Sequence, residues 1–426
     1  RKAEWPEADY VVGNPPFIGN KRMRVALGDG QVIALREAWK DAVPESADFV
    51  MYWWHKAAEL VRAGQLRQFG FITTNSLRQG FNRRVVEFNL SQKNALHLIF
   101  AIPDHPWVDS ADGAAVRIAM TVGSSTKALG EFGTVKHVGA EETSEKSIDI
   151  SWKQGEIHPD LSCGADIGSC RSLVANTGIA FTGMYPLGQG FVLQPDQIED
   201  AVATDENWQD VVKPFFTARD LTQRPRKAYV IDFYPLSERQ ARQTFPCLYN
   251  WILTRVKPER DHNRDKHIKE NWWLHARPRP EYRSAKDRIS RTILVPRTAK
   301  WFTFRLLPAD TIPDSSVVAI ALSEYHEVGV LSSLPHLIWA TRAGGRLGVG
   351  NDPRYQHQRT FEPFAFPERK TQSTDIASIA KELHDQRERQ VRDFPSITFT
   401  AMYNVLENLR REEALTDKEK EIHEQG

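Results

Sequence analysis

Cysteine is scarce: three residues in 426, Cys163, Cys170 and Cys247. Three thiols cannot build a disulfide framework, and none has the C-x-x-C spacing of a zinc site. Reduced, buried thiols are expected, and no metal site. Long apolar runs are also missing; none approaches the roughly 18–20 residues that cross a bilayer. No basic-then-apolar stretch opens the chain, so a cytoplasmic location is expected. Nor does charge of one sign dominate, because 56 Lys and Arg against 55 Asp and Glu leave a formal +1. The global balance points to no partner, and an argument for nucleic acid has to rest on local clustering. What remains is 41% hydrophobic and 26% charged residues, a globular composition that excludes wholesale disorder. The length fits two or three domains at roughly 100–200 residues each.

Residues 8–13 form a short β-rich run that reads as a buried strand, closed by Gly13 and the prolines of Asn14-Pro15-Pro16-Phe17. Phe49, Trp53, Ala57, Leu60 and Val61 recur at helical spacing, which predicts a helix over 47–61 with Ser46 as its cap and Gly64 as its stop. Strands are expected at 68–74, 95–102 and 114–122, with a helix over 80–90. This strand–helix alternation is that of an α/β domain with a mainly parallel sheet. After Gly123 the texture becomes polar. From Asn176 to Pro367 it is rich in Pro, Arg and aromatics, with β-like runs at 229–233, 292–295, 301–306 and 317–321, as in an irregular α+β domain. Two amphipathic helices follow Ser373, and the end of the chain is charged. The expected division is 1–150, 151–367 and 368–426.

Asn14-Pro15-Pro16-Phe17 is the most informative feature. It stands at the carboxyl end of a strand, where open α/β sheets bind ligands. An aromatic exocyclic amine is a poor nucleophile because its lone pair is delocalised into the ring. Two acceptors aimed at its N–H bonds draw the nitrogen toward tetrahedral geometry. The Asn14 carboxamide oxygen and the Pro15 carbonyl are suited to this, Pro16 stiffens the turn, and Phe17 can stack on the base. No strong base is needed, since positioning and electrostatics suffice. The tetrapeptide alone does not choose a substrate: glutamine side-chain and RNA guanine methyltransferases carry it as well. A plain proline-stiffened turn is the structural alternative.

Asp9–Gly19 (Asp-Tyr-Val-Val-Gly-Asn-Pro-Pro-Phe-Ile-Gly) resembles the catalytic segment of N6-adenine DNA methyltransferases, and Phe69–Leu77 resembles the next strand of that fold. Leu347–Tyr355 and Thr360–Pro367 resemble the end of the target-recognition domain in single-chain restriction–modification enzymes of the type IIL and IIG kind. The order matches the γ-type arrangement. The resemblance implies part of a class I, Rossmann-like domain that uses S-adenosyl-L-methionine, followed by an α+β target-recognition domain and C-terminal helices. It implies methylation of adenine N6 in duplex DNA by base flipping, within a restriction or related defence system. Asn14 would also meet the cofactor. The family's glycine-rich cofactor loop lies upstream of this strand, and only eight residues precede Asp9. The chain is therefore expected to be the C-terminal portion of a longer protein, inactive without its N-terminal half. A catalytically silent DNA-recognition module is the alternative of a different class.

Two further sets of residues stand out. Trp107, in His105-Pro106-Trp107-Val108-Asp109, lies on an expected loop and could support an extruded base or cover a core edge. Between His275 and Arg305 nine bases face only Glu281 and Asp287. Arg277, Arg279, Arg283, Arg288, Arg291, Arg297 and Lys300 are candidate DNA contacts there, with Trp272, Trp273, Tyr282 and Trp301 interleaved. An ordinary solvated face is the alternative. The turn Gly350–Tyr355 adds Arg354 and Tyr355 as candidates.

Overall fold

The strand–helix alternation at the start of the chain builds a six-stranded sheet. In the computed structural model, which describes residues 2–78, 80–107, 117–138, 148–347, 352–368 and 373–425, the chain divides into two compact units, 1–169 and 170–426. In the first unit, β1 (Tyr10–Gly13) leads through α1 (Asn20–Leu27), α2 (Asp29–Trp39) and α3 (Val50–Arg62) to β2 (Gln68–Thr74). A 3-10 turn, Asn75–Arg78, and α4 (Gly80–Leu90) then lead to β3 (His97–Pro106) and β4 (Arg117–Ser124). Strands β5 (Gly130–Val138) and β6 (Ile148–Gly155) follow. The sheet order is β1-β2-β4-β3-β5-β6.

This sheet is mixed, where the alternation predicts a mainly parallel one. β1 and β2 are parallel, as are β3 and β5, but β4 lies antiparallel between β2 and β3, and β6 is antiparallel to β5. The reason is connection length. A parallel return needs a crossover of about a dozen residues or more, usually through a helix. The helices after β1 and β2 supply one each time, so β1, β2 and β3 all run the same way. Only ten residues separate β3 from β4, and β4 turns back into the gap. The boundary drawn at residue 150 falls within β6, which extends the first sheet.

β1 is also not buried. It pairs on one edge alone among the described residues, leaving Tyr10 58% and Val12 85% exposed. Helix α3 starts three residues later than its apolar spacing predicts. Gly64, at φ 73°, follows its end as expected. Trp54 anchors α3 to the sheet, its indole N–H donating to Thr121 Oγ1 at 3.2 Å in the core.

The second unit holds two four-stranded sheets. Its strands are β7 (Ala180–Thr182), β8 (Val192–Leu193), β9 (Val212–Phe216) and β10 (Tyr229–Ile231). They continue with β11 (Arg291–Pro296), β12 (Arg305–Pro308), β13 (Ile312–Pro313) and β14 (Val317–Ile320). The orders are β12-β11-β14-β7 and β13-β9-β10-β8. The unbroken apolar runs Ile293–Val295 and Val317–Ile320 are fully buried, as continuous runs in central strands should be. The helices Ser373–Asp393 and Phe399–Arg410 pack on this unit. Arg387 donates to the Phe304 carbonyl at 3.0 Å, and Trp301 donates to Asn404 Oδ1 at 3.0 Å. None of the three cysteines is fully buried: Cys163 and Cys247 are half-buried and Cys170 is exposed.

Candidate functional site

β1 stops at Gly13, level with Phe71, while β2 continues three residues to Thr74. At about 3.3 Å per residue, β2 thus runs roughly 10 Å beyond the end of β1. Asn14–Phe17 follows directly on β1 at this carboxyl end of the sheet. Pro15 is buried, Phe17 is half-buried, and Asn14 and Pro16 are exposed. The Pro16 carbonyl accepts from the Ile18 N–H at 3.1 Å, which closes the turn. Among the described residues, no hydrogen bond engages the Asn14 carboxamide or the Pro15 carbonyl. The two acceptors singled out from the sequence are thus uncommitted, on a turn whose neighbours are tied down.

The carboxyl ends of β2 and β3 share this end of the sheet. Thr74 and His105 both stand opposite Ile118 of the intervening β4. Asn75 Nδ2 donates to Asp104 Oδ1 at 3.1 Å, and Arg117 pairs with the Asp104 carboxylate. Trp107 is 37% exposed at the tip of β3. Two strands separate β3 from β1, so three spacings of about 4.8 Å put their axes ~14 Å apart. Trp107 and Phe17 share one end of the sheet but are not neighbours on it. Val108, Asp109 and the rest of that loop to residue 116 lie outside the described residues.

In the second unit the basic segment resolves residue by residue, and part of it is structural. Arg283 pairs with the buried Asp232 at 2.7 Å and donates to the Pro278 carbonyl at 2.7 Å. Burial works against ionisation of Asp232, but His275, Arg283 and the hydrogen bonds around it hold its carboxyl below the usual range. Arg291 donates to the Ser323 carbonyl at 2.8 Å and stacks over Tyr325. Arg305 is 3% exposed and meets Glu388 at 2.5 Å. The interleaved aromatics belong largely to the core: Trp272 and Tyr282 are buried. Tyr355 is a correction as well. It is fully buried against Phe302, Phe304 and His336, and burial pushes its hydroxyl pKa up, so it cannot be a surface contact.

Other cations stay available. Arg277, Arg288 and Lys300 are exposed. Three half-buried guanidinium groups converge: Arg279, Arg297 and Arg354. The segments around Arg297 and Arg354 run side by side, with Thr298 opposite Arg354 and the Tyr355 N–H donating to the Arg297 carbonyl at 2.8 Å. Arg297 Nη1 donates to the Ser315 carbonyl at 2.8 Å, and Arg279 Nε to the Gly183 carbonyl at 3.1 Å. Gly183 packs closely against Asp314, the residue before Ser315: a Cβ on Gly183 would lie 2.1 Å from the Asp314 carbonyl oxygen. Burial, then the charges of Arg354 and Arg279, hold the Arg297 pKa below its usual value. Burial, then Arg277, does the same for Arg279. Arg354 Nε is buried with no partner among the described residues. Residues 348–351, including Gly350 and Asn351 of the expected turn, lie outside those residues, while Asp352–Pro353 pairs with Arg346–Leu347.

Like charges crowded together and short of acids make a site for an anionic or acceptor-rich ligand. Comparison with known proteins matches both parts of the chain. Residues 2–132 match the family model described as MmeI, DNA-methyltransferase domain, and residues 171–368 match MmeI, target recognition domain. The chain belongs to the type IIL/IIG-like methyltransferase family. It is 23% identical over 398 residues to DNA methyltransferase A of Bacillus subtilis (strain 168), covering 91% of this chain and 42% of that protein. Its fold is similar to that of the type IIL restriction–modification enzyme MmeI solved in complex with DNA. That match has a TM-score of 0.69 and 18% identity, over 92% of this chain and 51% of that one. The chain thus spans about half the length of the relatives it matches. Its methyltransferase-family part corresponds to the first unit and its recognition-domain part to the second. In the first, motif reasoning missed Asp48, Asn75, Ser76, Asp104 and Arg117. Of these, Asn75 and Ser76 directly follow β2, whereas Asp104 lies within β3, Arg117 opens β4 and Asp48 precedes α3.

Proposed function

We propose that this chain contributes to a DNA methyltransferase that transfers a methyl group to adenine N6 in duplex DNA, within a restriction–modification system. The observation that carries the reading is the pair of uncommitted acceptors, the Asn14 carboxamide and the Pro15 carbonyl, at the carboxyl end of β1. Two acceptors fit the two N–H bonds of an exocyclic amine. With both engaged, the nitrogen lone pair is localised and directed, and one N–H proton leaves to solvent after transfer. Phe17, half-buried beside them, stacks on a base extruded from the duplex. The donor consistent with this site is S-adenosyl-L-methionine. An exposed carboxamide with both polar atoms uncommitted fits a residue that meets donor and amine together, and when bound the cofactor supplies an electrophilic sulfonium methyl.

The labour divides between the units. The first, expected as 1–150, holds the reacting amine. The second, expected as 151–367, reads duplex DNA through Arg279, Arg297 and Arg354, with Arg277, Arg288 and Lys300 on phosphates. The segment 368–426 braces the reader. Among the described residues no helix is long and apolar enough to cross a membrane, and the reading carries a cytoplasmic location. The test is methyl transfer by the full-length protein from labelled donor to duplex DNA, followed by nucleoside analysis. N6-methyladenine at one sequence supports the proposal. Label in cytosine, protein or RNA overturns it. Sequence-specific DNA binding with no transfer points instead to a silent recognition module.

A further inference from the structure

Asp48 is half-buried just before α3 and has no role in the chemistry described above, yet more of the polar structure around the turn passes through it than through any neighbour. Its Oδ1 accepts from the Asn20 N–H at 2.9 Å, three residues past Phe17. Its Oδ2 accepts from Ser76 Oγ at 3.0 Å and from Asn82 Nδ2 at 2.7 Å. Its own N–H donates to Asn82 Oδ1 at 2.8 Å. The next residue, Phe49, donates its N–H to the Ile18 carbonyl at 2.9 Å. Asn20 is held from its other side as well, where its Oδ1 accepts from Arg36 at 2.8 Å. One carboxylate therefore joins the far side of the Asn14–Phe17 turn, the start of α3, the 3-10 turn after β2 and helix α4.

None of these bonds uses the Asn14 carboxamide or the Pro15 carbonyl. The network holds the residues that follow the turn and leaves its acceptors available. We infer that Asp48 is a positioning residue that fixes the Asn14–Phe17 turn against the ends of β2 and α4. The inference rests on the reading of Asn14 and Pro15 as the amine's acceptors. A carboxylate suits the place because all three incoming groups are donors, and a carboxylate only accepts. An amide there would turn an NH₂ toward at least one donor. Misplacement of reacting groups by about 1 Å can cost on the order of 10²-fold in rate, so a loosened turn should act on kcat.

The test uses the full-length protein with Asp48→Asn, and the exchange pair Asp48→Asn with Asn82→Asp. The pair moves the carboxylate across the same hydrogen bonds. Two readouts are taken: kcat and KM for methyl transfer to DNA, and amide hydrogen exchange over residues 14–22. Asp48→Asn should lower kcat roughly 10- to 100-fold, leave KM for DNA within about threefold, and speed exchange over 14–22 while the His55–Asn89 region stays protected. The exchange pair should restore kcat and protection together. Unchanged exchange over 14–22 overturns the inference, as does faster exchange with unchanged kcat. So does a loss of protection across the whole first unit, which marks a purely structural residue. If the wild-type protein methylates no DNA, the function reading falls. The positioning of the turn is then judged by exchange alone, standing if Asp48→Asn loosens 14–22 and falling if it does not.

Discussion

The two units use polar groups in opposite ways. In the first, the residues read as chemical are neutral and uncommitted, and the charged neighbour, Asp48, is wholly engaged in holding them. In the second, a segment with nine bases and two acids looks like one continuous binding surface in the sequence. Folding divides it. Arg283, Arg291 and Arg305 tie strands and helices together, while Arg279, Arg297 and Arg354 remain gathered around an incompletely satisfied site. A run of charge is therefore a weak guide to function until each side chain's partner is known. A short uncharged motif at a strand end is a strong one, because its backbone setting already limits what its acceptors can do.

The comparison breaks most visibly at Arg283. Removing it leaves Asp232 buried without its main partner, and breaking such a pair costs about 3–5 kcal/mol. Arg283→Ala should sharply lower the denaturant midpoint of the second unit without a change in sequence preference in the protein that remains folded. A normal midpoint with lost DNA binding would return Arg283 to the interface.

Next in size is Asn14. Asn14→Ala removes one preorganised acceptor and should slow methyl transfer by about 10²–10³, with DNA affinity and melting temperature little changed. Near-normal single-turnover rates would remove it from the chemistry.

Smaller effects are expected from Arg297→Ala and Arg354→Ala, taken singly. Each should weaken DNA binding at nearly constant stability. A phosphate contact weakens every sequence alike and reduces the log–log salt slope by about one, whereas a base contact relaxes preference at one position by roughly 1–3 kcal/mol. If both substitutions leave slope and preference intact, the cluster is not a reader.

The smallest effect compares the two cores by pH. Burial lowers His55 in the first unit and His336 in the second to about 4, from an ordinary 6.5. Each is neutral when folded, while the unfolded chain takes up a proton below 6.5. The stability each contributes is present above pH 6.5 and is lost as pH falls from there toward 4. For His55, whose Nδ1 accepts from Asn89 at 2.9 Å, acidification from pH 7.5 to 5.5 should cost about 1 kcal/mol. His55→Gln should flatten that part of the pH–stability curve, and an unchanged slope would show that the ring is not held neutral.

What the sequence by itself determined is local in origin. Strand β2 at 68–74 and helix α4 at 80–90 were legible to the residue, because apolar period and Gly or polar punctuation act over a few residues. The placing of Asn14–Phe17 at a strand end, and of Gly64 after α3, followed from the same rules. The tertiary structure decided the rest. It set β4 between β2 and β3, left β1 at an edge, and extended the sheet with the polar strands β5 and β6, whose pairing no periodicity announces. It buried Tyr355, gave Arg283, Arg291 and Arg305 carboxylate or carbonyl partners, gathered Arg279, Arg297 and Arg354, and brought Asp48 to Asn20, Ser76 and Asn82. The physical reason is common to all of these. A hydrogen bond or ion pair between residues tens of positions apart depends on which surfaces meet, and that is settled only when the apolar faces of separate elements have packed.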